Sequence, residues 1–255
     1  ELMIIQGGVT IQGGVSLEPL ETAIELLVVA GGGKSGNRQG SSGWYGTAGA
    51  GGVVYGTTSS ASLLPVGTSV PIAVGAQVGT GISNSNAGGV IGLGIQGNNS
   101  SIGDIVAYGG AAGTSAAGVI SNGNSGGSGG GATALGPTYT RTGGASTQVS
   151  YPSYGLTGYG NAGGSTDGST GNYAGAGGGA GGPGGLPKTI AQWIDGLGGP
   201  GITLSITGSP VEYARGGGFH NSQTLNLNPT RGGGGGCQND SGGRYAPGIA
   251  GIIIL

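Results

Sequence analysis

Residues 174–218 read AGAGGGAGGPGGLPKTIAQWIDGLGGPGITLSITGSPVEYARGGG and contain the pattern that decides the fold. Glycine runs stand directly before two short stretches rich in β-branched residues, 202–207 and 211–215, and glycine returns at Gly216. These two stretches predict a pair of β-strands, because β-branched side chains favour extended backbone. The same alternation recurs along the chain, so the sequence predicts a β-framework from which glycine segments extend.

Glycine accounts for 70 of the 255 residues and proline for 11. Such a composition without a strict three-residue period is typical of low-complexity or disordered chains. Disordered chains are generally highly charged, however, whereas charged residues make up 6% of this chain and its net charge is −2. The apolar runs at 24–30 and 252–255 also need burial. The sequence therefore favours a folded domain.

Glycine segments can be ordered when their backbone groups find partners in neighbouring segments. A left-handed extended helix with three residues per turn has no internal hydrogen bonds, and without Cβ atoms such helices can lie close enough to bond to one another. Glycine loses more conformational entropy on folding than any other residue, so a lone segment would not stay ordered. We therefore expect the runs at 126–131 and 175–182 to belong to a bundle of polyglycine II helices.

Further stretches predict strands at 24–30, 53–55, 70–74, 104–108 and 249–255. The first is continuously apolar and predicts a strand buried on both faces. Pro71 places the third at a sheet edge, whereas the last is expected in a sheet centre, and a helical turn is expected only at 189–194. The predicted fold class is all-β, a β-sandwich with an inserted polyglycine II helix bundle and almost no α-helix.

The first 20 residues differ from the glycine-rich domain predicted for 21–255. The repeat I-Q-G-G-V-[TS] occurs twice, at 5–10 and 11–16, and places Ile5, Val9, Ile11 and Val15 at equivalent positions. Two such rungs cannot bury their own apolar face. We expect an attachment or oligomerisation segment that docks on a partner protein or sister subunits, and a flexible leader is the alternative.

Residue types needed for catalysis or metal binding are scarce. The chain has one histidine, His220, and one cysteine, Cys237, which cannot assemble a metal site by themselves. The stretch 28–35 imitates a phosphate-binding loop but has Val28 where that motif needs glycine. The sequence therefore predicts no enzyme, metal or cofactor. Scattered basic residues argue against nucleic acid, and no apolar run approaches the roughly 18 residues of a membrane span.

Aromatic residues among small polar residues are the better candidates for binding, because this mixture offers rigid contact area beside adaptable hydrogen bonds. The alternative is that these rings cover the ends of glycine helices and pack on one another. The candidate receptor-binding residues are Trp44, Tyr45, Tyr139, Tyr151, Tyr154, Tyr159, Tyr173, Phe219 and His220.

Several motifs occur in the order seen in glycine-rich domain proteins of bacteriophages, which the chain resembles over about residues 24–255. The motifs are LLVVAGGG at 26–33, GGVVY at 51–55, the strand and glycine pair at 105–110, the segment from Gly-Pro-Gly to Tyr-Ala-Arg-Gly-Gly-Gly at 199–218, and the apolar end at 248–255. The pattern is more distantly similar to tail-fibre adhesins that pack polyglycine II helices in a lattice and contact host receptors through loops at the lattice end.

This resemblance implies a non-enzymatic structural protein on the virion exterior, a tail-fibre or appendage component. Its expected partners are other virion proteins, further copies of itself, and a host-surface glycan or outer-membrane protein. The incomplete N-terminal rungs favour a trimer. One alternative is a subunit of a cellular extracellular filament or surface adhesin assembled by strand exchange. A virion-decorating hydrolase is a second alternative, but it needs a charged cleft that so few charged residues do not favour.

Overall fold

The computed structural model describes residues 22–36, 46–65, 67–79, 83–84, 94–114, 121–134, 140–167, 174–186, 196–220, 230–238 and 244–255. Within these ranges the secondary structure is almost entirely β, which confirms the predicted all-β class. The strands are β1 (Ala23–Val29), β2 (Val53–Ser59), β3 (Ile72–Ala73), β4 (Ser83–Asn84), β5 (Ser100–Ile102), β6 (Ile105–Ala107), β7 (Thr140–Arg141), β8 (Leu156–Tyr159), β9 (Thr166–Asp167), β10 (Ile202–Leu204), β11 (Val211–Tyr213), β12 (Phe219–His220), β13 (Cys237–Gln238), β14 (Arg244–Tyr245) and β15 (Ile252–Ile254).

The main sheet has four antiparallel strands in the order β15-β1-β2-β8. Its centre is β1, in which Val28 lies opposite both Val54 and Ile253. Residues 26–29 are fully buried, as the continuous apolar run predicts, because both faces of this strand are covered. The predicted strands at 202–207 and 211–215 form the antiparallel hairpin β10–β11.

Successive residues of β1 point to opposite faces of the sheet and build two separate apolar clusters. Leu26 and Val28 pack in one cluster with residues from β2, β5, β6 and β8. Leu27 and Val29 pack in the other with Tyr213 of β11 and the partly buried residues of β10. The main sheet therefore lies between the sheet β3-β5-β6 and the β10–β11 hairpin.

Three details can be compared with the sequence-based expectations. Pro71 does precede an edge strand, since β3 pairs only with β5 among the strands that the structure describes. The prediction that the last strand lies in a sheet centre is wrong for the described strands, among which β15 pairs only with β1 and forms an edge. A four-residue helix, α1 (Ser60–Leu63), was not predicted; it is capped by the side chain of Ser59, which accepts from the Ser62 N–H at 3.2 Å. The turn expected at 189–194 and the segment 1–20 lie outside the described residues.

The glycine-rich stretches between strands bond to one another with a period of three residues. The clearest case is the central segment, residues 46–52, in which donors three residues apart bond to carbonyls three residues apart in the same neighbour. These bonds, 2.8–3.3 Å from nitrogen to oxygen, run from Thr47 to Gly175, Ala50 to Gly178, Ala48 to Gly235, Gly51 to Gly232, Gly49 to Ala111 and Gly52 to Tyr108.

The carbonyls of the central segment accept from three other neighbours. The donors are Ala30 and Gly33 on one side, Ser128 and Gly131 on a second, and Gly217 on a third, at 2.9–3.0 Å. Six different stretches of chain therefore surround the central segment. The same period appears around it, in the pairs Gly31 to Asn98 and Lys34 to Ile95, Gly129 to Asn161 and Ala132 to Gly164, and Gly130 to Asn124 and Thr133 to Ser121.

Neighbouring backbones in this bundle approach too closely to admit side chains at many positions. A Cβ atom added at Gly131 would lie 1.8 Å from the Gly175 carbonyl oxygen, and one at Gly177 would lie 1.9 Å from that of Ala48. These glycines are required by the closeness of the next segment and not by a left-handed backbone angle. Alanine occurs where room exists, as at the fully buried Ala48 and Ala50.

Candidate functional site

The hydrogen-bond register gives the bundle two distinct ends. At the strand end, β1 leads into residues 30–36, and the central segment leads into β2. Ala30 bonds to Gly52 there, and Gly33 bonds to Gly49 farther along. Gly36 and Gly46 therefore lie toward the opposite end, where the chain enters and leaves 37–45.

Several other segments leave the bundle at this opposite end, which we call the loop end. The Gly46 N–H donates to the Thr133 hydroxyl at 2.8 Å and to the Thr114 hydroxyl at 3.1 Å. Single bridges join Thr133 to Ser121 and to Ala174. These described residues adjoin or lie one residue from the segments 37–45, 115–120, 135–139 and 168–173.

Buried hydroxyls support the loop end where the regular backbone bonding stops. The Thr47 hydroxyl accepts from the Gly177 N–H at 2.8 Å and donates to the Gly217 carbonyl, and the Ser35 hydroxyl donates to the Gly235 carbonyl. Thr114 donates to the Gly131 carbonyl at 3.0 Å. Short side chains therefore satisfy main-chain groups at the rim of the bundle, which fixes the points at which the loops emerge.

Phe219 and His220 form strand β12 beyond the bundle segment 214–218. β12 belongs to a four-stranded sheet in the order β12-β13-β14-β4, with Phe219 paired parallel to Cys237. The hydrogen bond of Ser35 to Gly235, two residues before Cys237, places this sheet at the loop end. Burial raises the pKa of the Cys237 thiol far above its ordinary value. The thiol therefore stays protonated and is a poor nucleophile.

The other seven predicted binding residues fall into two groups. Trp44, Tyr45, Tyr139 and Tyr173 lie outside the described residues, as do the predicted assembly residues Ile5, Val9, Ile11 and Val15. The nearest described residues in the chain are Gly46 after Trp44-Tyr45, Thr140 after Tyr139 and Ala174 after Tyr173. All three lie at the loop end.

Tyr151, Tyr154 and Tyr159 lie instead near the strand end and pack against the two apolar clusters. Tyr151 and Tyr154 contact the cluster of Leu26 and Val28, and Tyr159 contacts that of Leu27 and Val29. The Tyr151 hydroxyl donates to the Val106 carbonyl and accepts from the Val106 N–H, both at 2.9 Å. This placement gives the three rings a packing role and separates them from the aromatic residues that adjoin the loop end.

We expect Tyr151→Phe to lower the free energy of unfolding by about 1–3 kcal/mol, because the part-buried N–H of Val106 loses its partner. The pH dependence should change as well. Burial raises the pKa of Tyr151 above its ordinary 10.0, an effect that the Val106 hydrogen bond partly offsets. The unfolded state therefore deprotonates first, and the contribution of Tyr151, full below pH 10, is lost as the pH rises through the folded-state pKa.

Urea titrations from pH 8 to pH 11.5 measure both effects. The pKa of Tyr55 is also raised, by its hydrogen bond to Glu25, and this residue is present in both proteins. Both should therefore lose stability above pH 10. The wild type should lose it more steeply, because it also contains Tyr151. Tyr154→Phe is the matched control, since no described residue bonds to its hydroxyl. Equal losses in the two variants would contradict the role given to Tyr151.

A shallow groove of about 230 Å³ lies at the strand end, beside Tyr154. Its walls come from α1, residues 65–71 and residues 102–105, and Asp104 is the only charged side chain among them. The groove combines apolar and hydroxyl-bearing walls with a single carboxylate. The titratable groups that line it are the Asp104 carboxylate and the Tyr154 phenol.

In the stretch 28–35, which resembles a phosphate-binding loop, the backbone N–H groups of the three glycines are already bonded within the fold. The N–H groups of Gly31, Gly32 and Gly33 donate to the carbonyls of Asn98, Ile249 and Gly49. In the part of the chain that the structure describes, no three His, Cys, Asp or Glu side chains cluster as metal ligands. The same ranges contain no helix with the length and apolar character needed to cross a bilayer.

Sequence reasoning missed the buried hydroxyls of Ser35, Thr47, Thr114 and Thr133. Each stands at or near the end of a glycine- or alanine-rich run, and that position was the available signal. This signal was weak, because serine and threonine are also common in the exposed loops of this chain.

A profile of the glycine-rich domain family matches residues 10–255 and so spans every described residue. No curated protein matches the chain. Since the match extends over nearly the whole sequence, the chain belongs to the glycine-rich domain family.

Proposed function

We propose that this chain is a non-enzymatic structural protein of a phage virion, a tail-fibre or appendage component on the particle exterior. In this proposal the bundle consists of polyglycine II helices, the stacked strand layers form a sandwich at its base, and loops at the loop end contact a host-surface glycan or outer-membrane protein. Other virion proteins and further copies of the chain are its assembly partners.

The three-residue period of the hydrogen bonds supports the polyglycine II part of the proposal. In such a helix, successive residues point about 120° apart, so every third N–H faces the same neighbour. The central segment has this pattern and six neighbours. A backbone-bonded interior of this kind suits a stiff support, because it fixes position without large side chains.

The separation of the two ends is the observation that carries the functional part. Thr22 and Leu255 both lie at the strand end, whereas the residues adjoining Trp44-Tyr45, Tyr139 and Tyr173 lie at the loop end. An arrangement of this kind lets one end join a larger assembly while the other faces outward. Recognition residues are commonly found on loops that a rigid scaffold positions.

Two measurements test this function. Mass spectrometry of purified particles, with antibody labelling in electron micrographs, should place the chain on a fibre or appendage. Purified full-length protein should also compete with particles for adsorption to host cells. The Trp44→Ala/Tyr45→Ala variant should compete about 30-fold less well, the loss expected for a binding hot spot of about 2 kcal/mol.

Tyr154→Ala is the control, because it removes an aromatic ring at the strand end and should leave competition unchanged. Absence of the chain from particles would exclude a virion role. Equal competition by both variants would exclude recognition at the loop end. The alternative, a cellular filament or surface adhesin assembled by strand exchange, predicts helical fibres without capsids in the same micrographs.

A further inference from the structure

Strand β15 forms an aliphatic edge of the main sheet, beside which no further strand lies in the described part of the chain. Its three isoleucines are partly exposed, and Leu255 beyond them is 57% exposed. Ile252 and Ile254 lie opposite Val29 and Leu27. Soluble proteins usually protect such an edge with charge, proline or a covering loop, because its free backbone groups pair readily with another strand. The stretch 251–255 contains neither a charged residue nor a proline.

Along β1, successive residues direct their backbone N–H and C=O groups to opposite sides, and this alternation identifies which groups are free. Thr22 accepts from the Ser60 N–H at 2.8 Å, and Ala30 donates to Gly52 at 3.0 Å, so the even-numbered residues of β1 bond to β2. The odd-numbered residues face the β15 side, where β15 pairs only with residues 27–29. Among the described strands, none lies beside Ala23 and Glu25 on that side.

The outer edge of β15 follows from the same alternation. Ile252 and Ile254 face β1, so Gly251 and Ile253 face outward. Gly251 bonds outward to the Gly75 carbonyl at 2.9 Å, and no strand pairs with Ile253 within the described ranges. Ile72 and Val74, just before Gly75, are 55% and 50% exposed and extend the apolar surface.

We propose that this edge receives residues 4–16 of a second copy of the chain as an added β-strand. These residues carry the two I-Q-G-G-V-[TS] repeats and have no charged side chain. Twenty-one residues precede Thr22, which lies at the same end as β15, since Thr22 bonds to Ser60 beside the start of β1. Addition of the strand bonds the free backbone groups and buries apolar side chains of both partners.

In this proposal the donor is a second copy, because the segment then links each subunit to the next. In the same chain, the five residues 17–21, which include Pro19, would have to pass the end of β15 and reverse direction within their own length. Pairing within one chain would leave the wild type monomeric, so the oligomeric state distinguishes the two arrangements. This assembly rests on the proposed role as a repeated structural subunit, although strand donation is equally the assembly mode of the alternative cellular filament. Its test measures only the association of purified chains and therefore does not depend on which of the two roles is correct.

Light scattering coupled to size-exclusion chromatography tests the proposal on full-length protein. The wild type should run as an oligomer. Ile253→Pro removes the outward N–H of β15 without touching a bond to β1, and should yield single chains. Ile5→Asp/Ile11→Asp places charges in the donated segment and should do the same. Leu255→Lys is a second acceptor variant in case Ile253→Pro fails to fold.

Mixing the two kinds of variant gives the sharpest result. An acceptor variant still has an intact donated segment and the donor variant an intact edge, so an equimolar mixture should form two-chain complexes. Leu186→Lys is the control. Leu186 is 51% exposed and lies toward the loop end, away from β15, so this variant should leave the oligomer intact. A monomeric wild type, an unchanged oligomer in the variants, or a mixture that remains monomeric would overturn the proposal, whatever the role of the loop end.

Discussion

Gly131→Ala is expected to lower the free energy of unfolding by roughly 3 kcal/mol or more, at or above the upper end of the usual cost of overpacking. The new Cβ would lie 1.8 Å from the carbonyl oxygen and 2.4 Å from the carbonyl carbon of Gly175. Both atoms are main chain and are held in turn by other segments, so no side chain can move aside. Urea denaturation followed by circular dichroism or tyrosine and tryptophan fluorescence measures the loss.

Gly185→Ala is the matched control. It lies in the same bundle, but its nearest obstacle is the Leu197 carbonyl oxygen at 3.1 Å, so a shift of a few tenths of an ångström accommodates the methyl group. We expect a change within about 0.5 kcal/mol of zero, as for ordinary surface substitutions. Equal stability of the two variants would show that the close packing of the bundle does not limit the fold.

The amides of the central segment are expected to exchange with solvent at least about 10⁴-fold more slowly than in a free peptide. All seven N–H groups of 46–52 donate to carbonyls or hydroxyls of other segments, and the surrounding stretches are buried. Their exchange therefore requires global unfolding, which costs about 5–15 kcal/mol in typical domains. Hydrogen–deuterium exchange read by mass spectrometry after proteolysis measures this.

The exposed β10–β11 turn supplies the internal comparison. Its residues 207–210 are exposed, and Gly208 bonds only locally, to the Ser205 carbonyl at 2.8 Å. The amides of residues 207–209 should exchange orders of magnitude faster than those of 46–52, and Pro210 has no N–H. Free-peptide exchange throughout the central segment would refute the polyglycine II interior and the proposal of a stiff appendage with it.

The strand positions could be predicted because their signals are local. The continuous apolar run before Gly31, the pair on either side of Ser209-Pro210 and the proline before Ile72 each report the backbone preference of a few residues. A glycine residue, in contrast, does not indicate which segment of the chain will lie beside it. Which carbonyl Gly49 finds depends on where Ala111 lies, 62 positions away in the chain, and no periodicity of the sequence encodes that distance.

The edge position of β15 could not be predicted for a related reason. An isoleucine run indicates burial, and a strand buried on both faces is usually central. Here the two faces of the sheet are covered by different layers, so even an outer strand contacts both clusters through alternate isoleucines. Likewise, the tyrosines of 151–159 and those adjoining the loop end have similar neighbours in sequence, and only the three-dimensional course of the chain separates them.

The three-residue bonding period has a consequence for how such chains can change length. Insertion of a single residue into a bundle segment would turn every following N–H by about a third of a revolution and direct it at the wrong neighbour. A triplet insertion would restore the original directions and lengthen the rod by about 9 Å. Length variants of this domain should therefore differ by triplets within the glycine segments, as coding sequences do within a reading frame, whereas the connecting loops are free to vary one residue at a time.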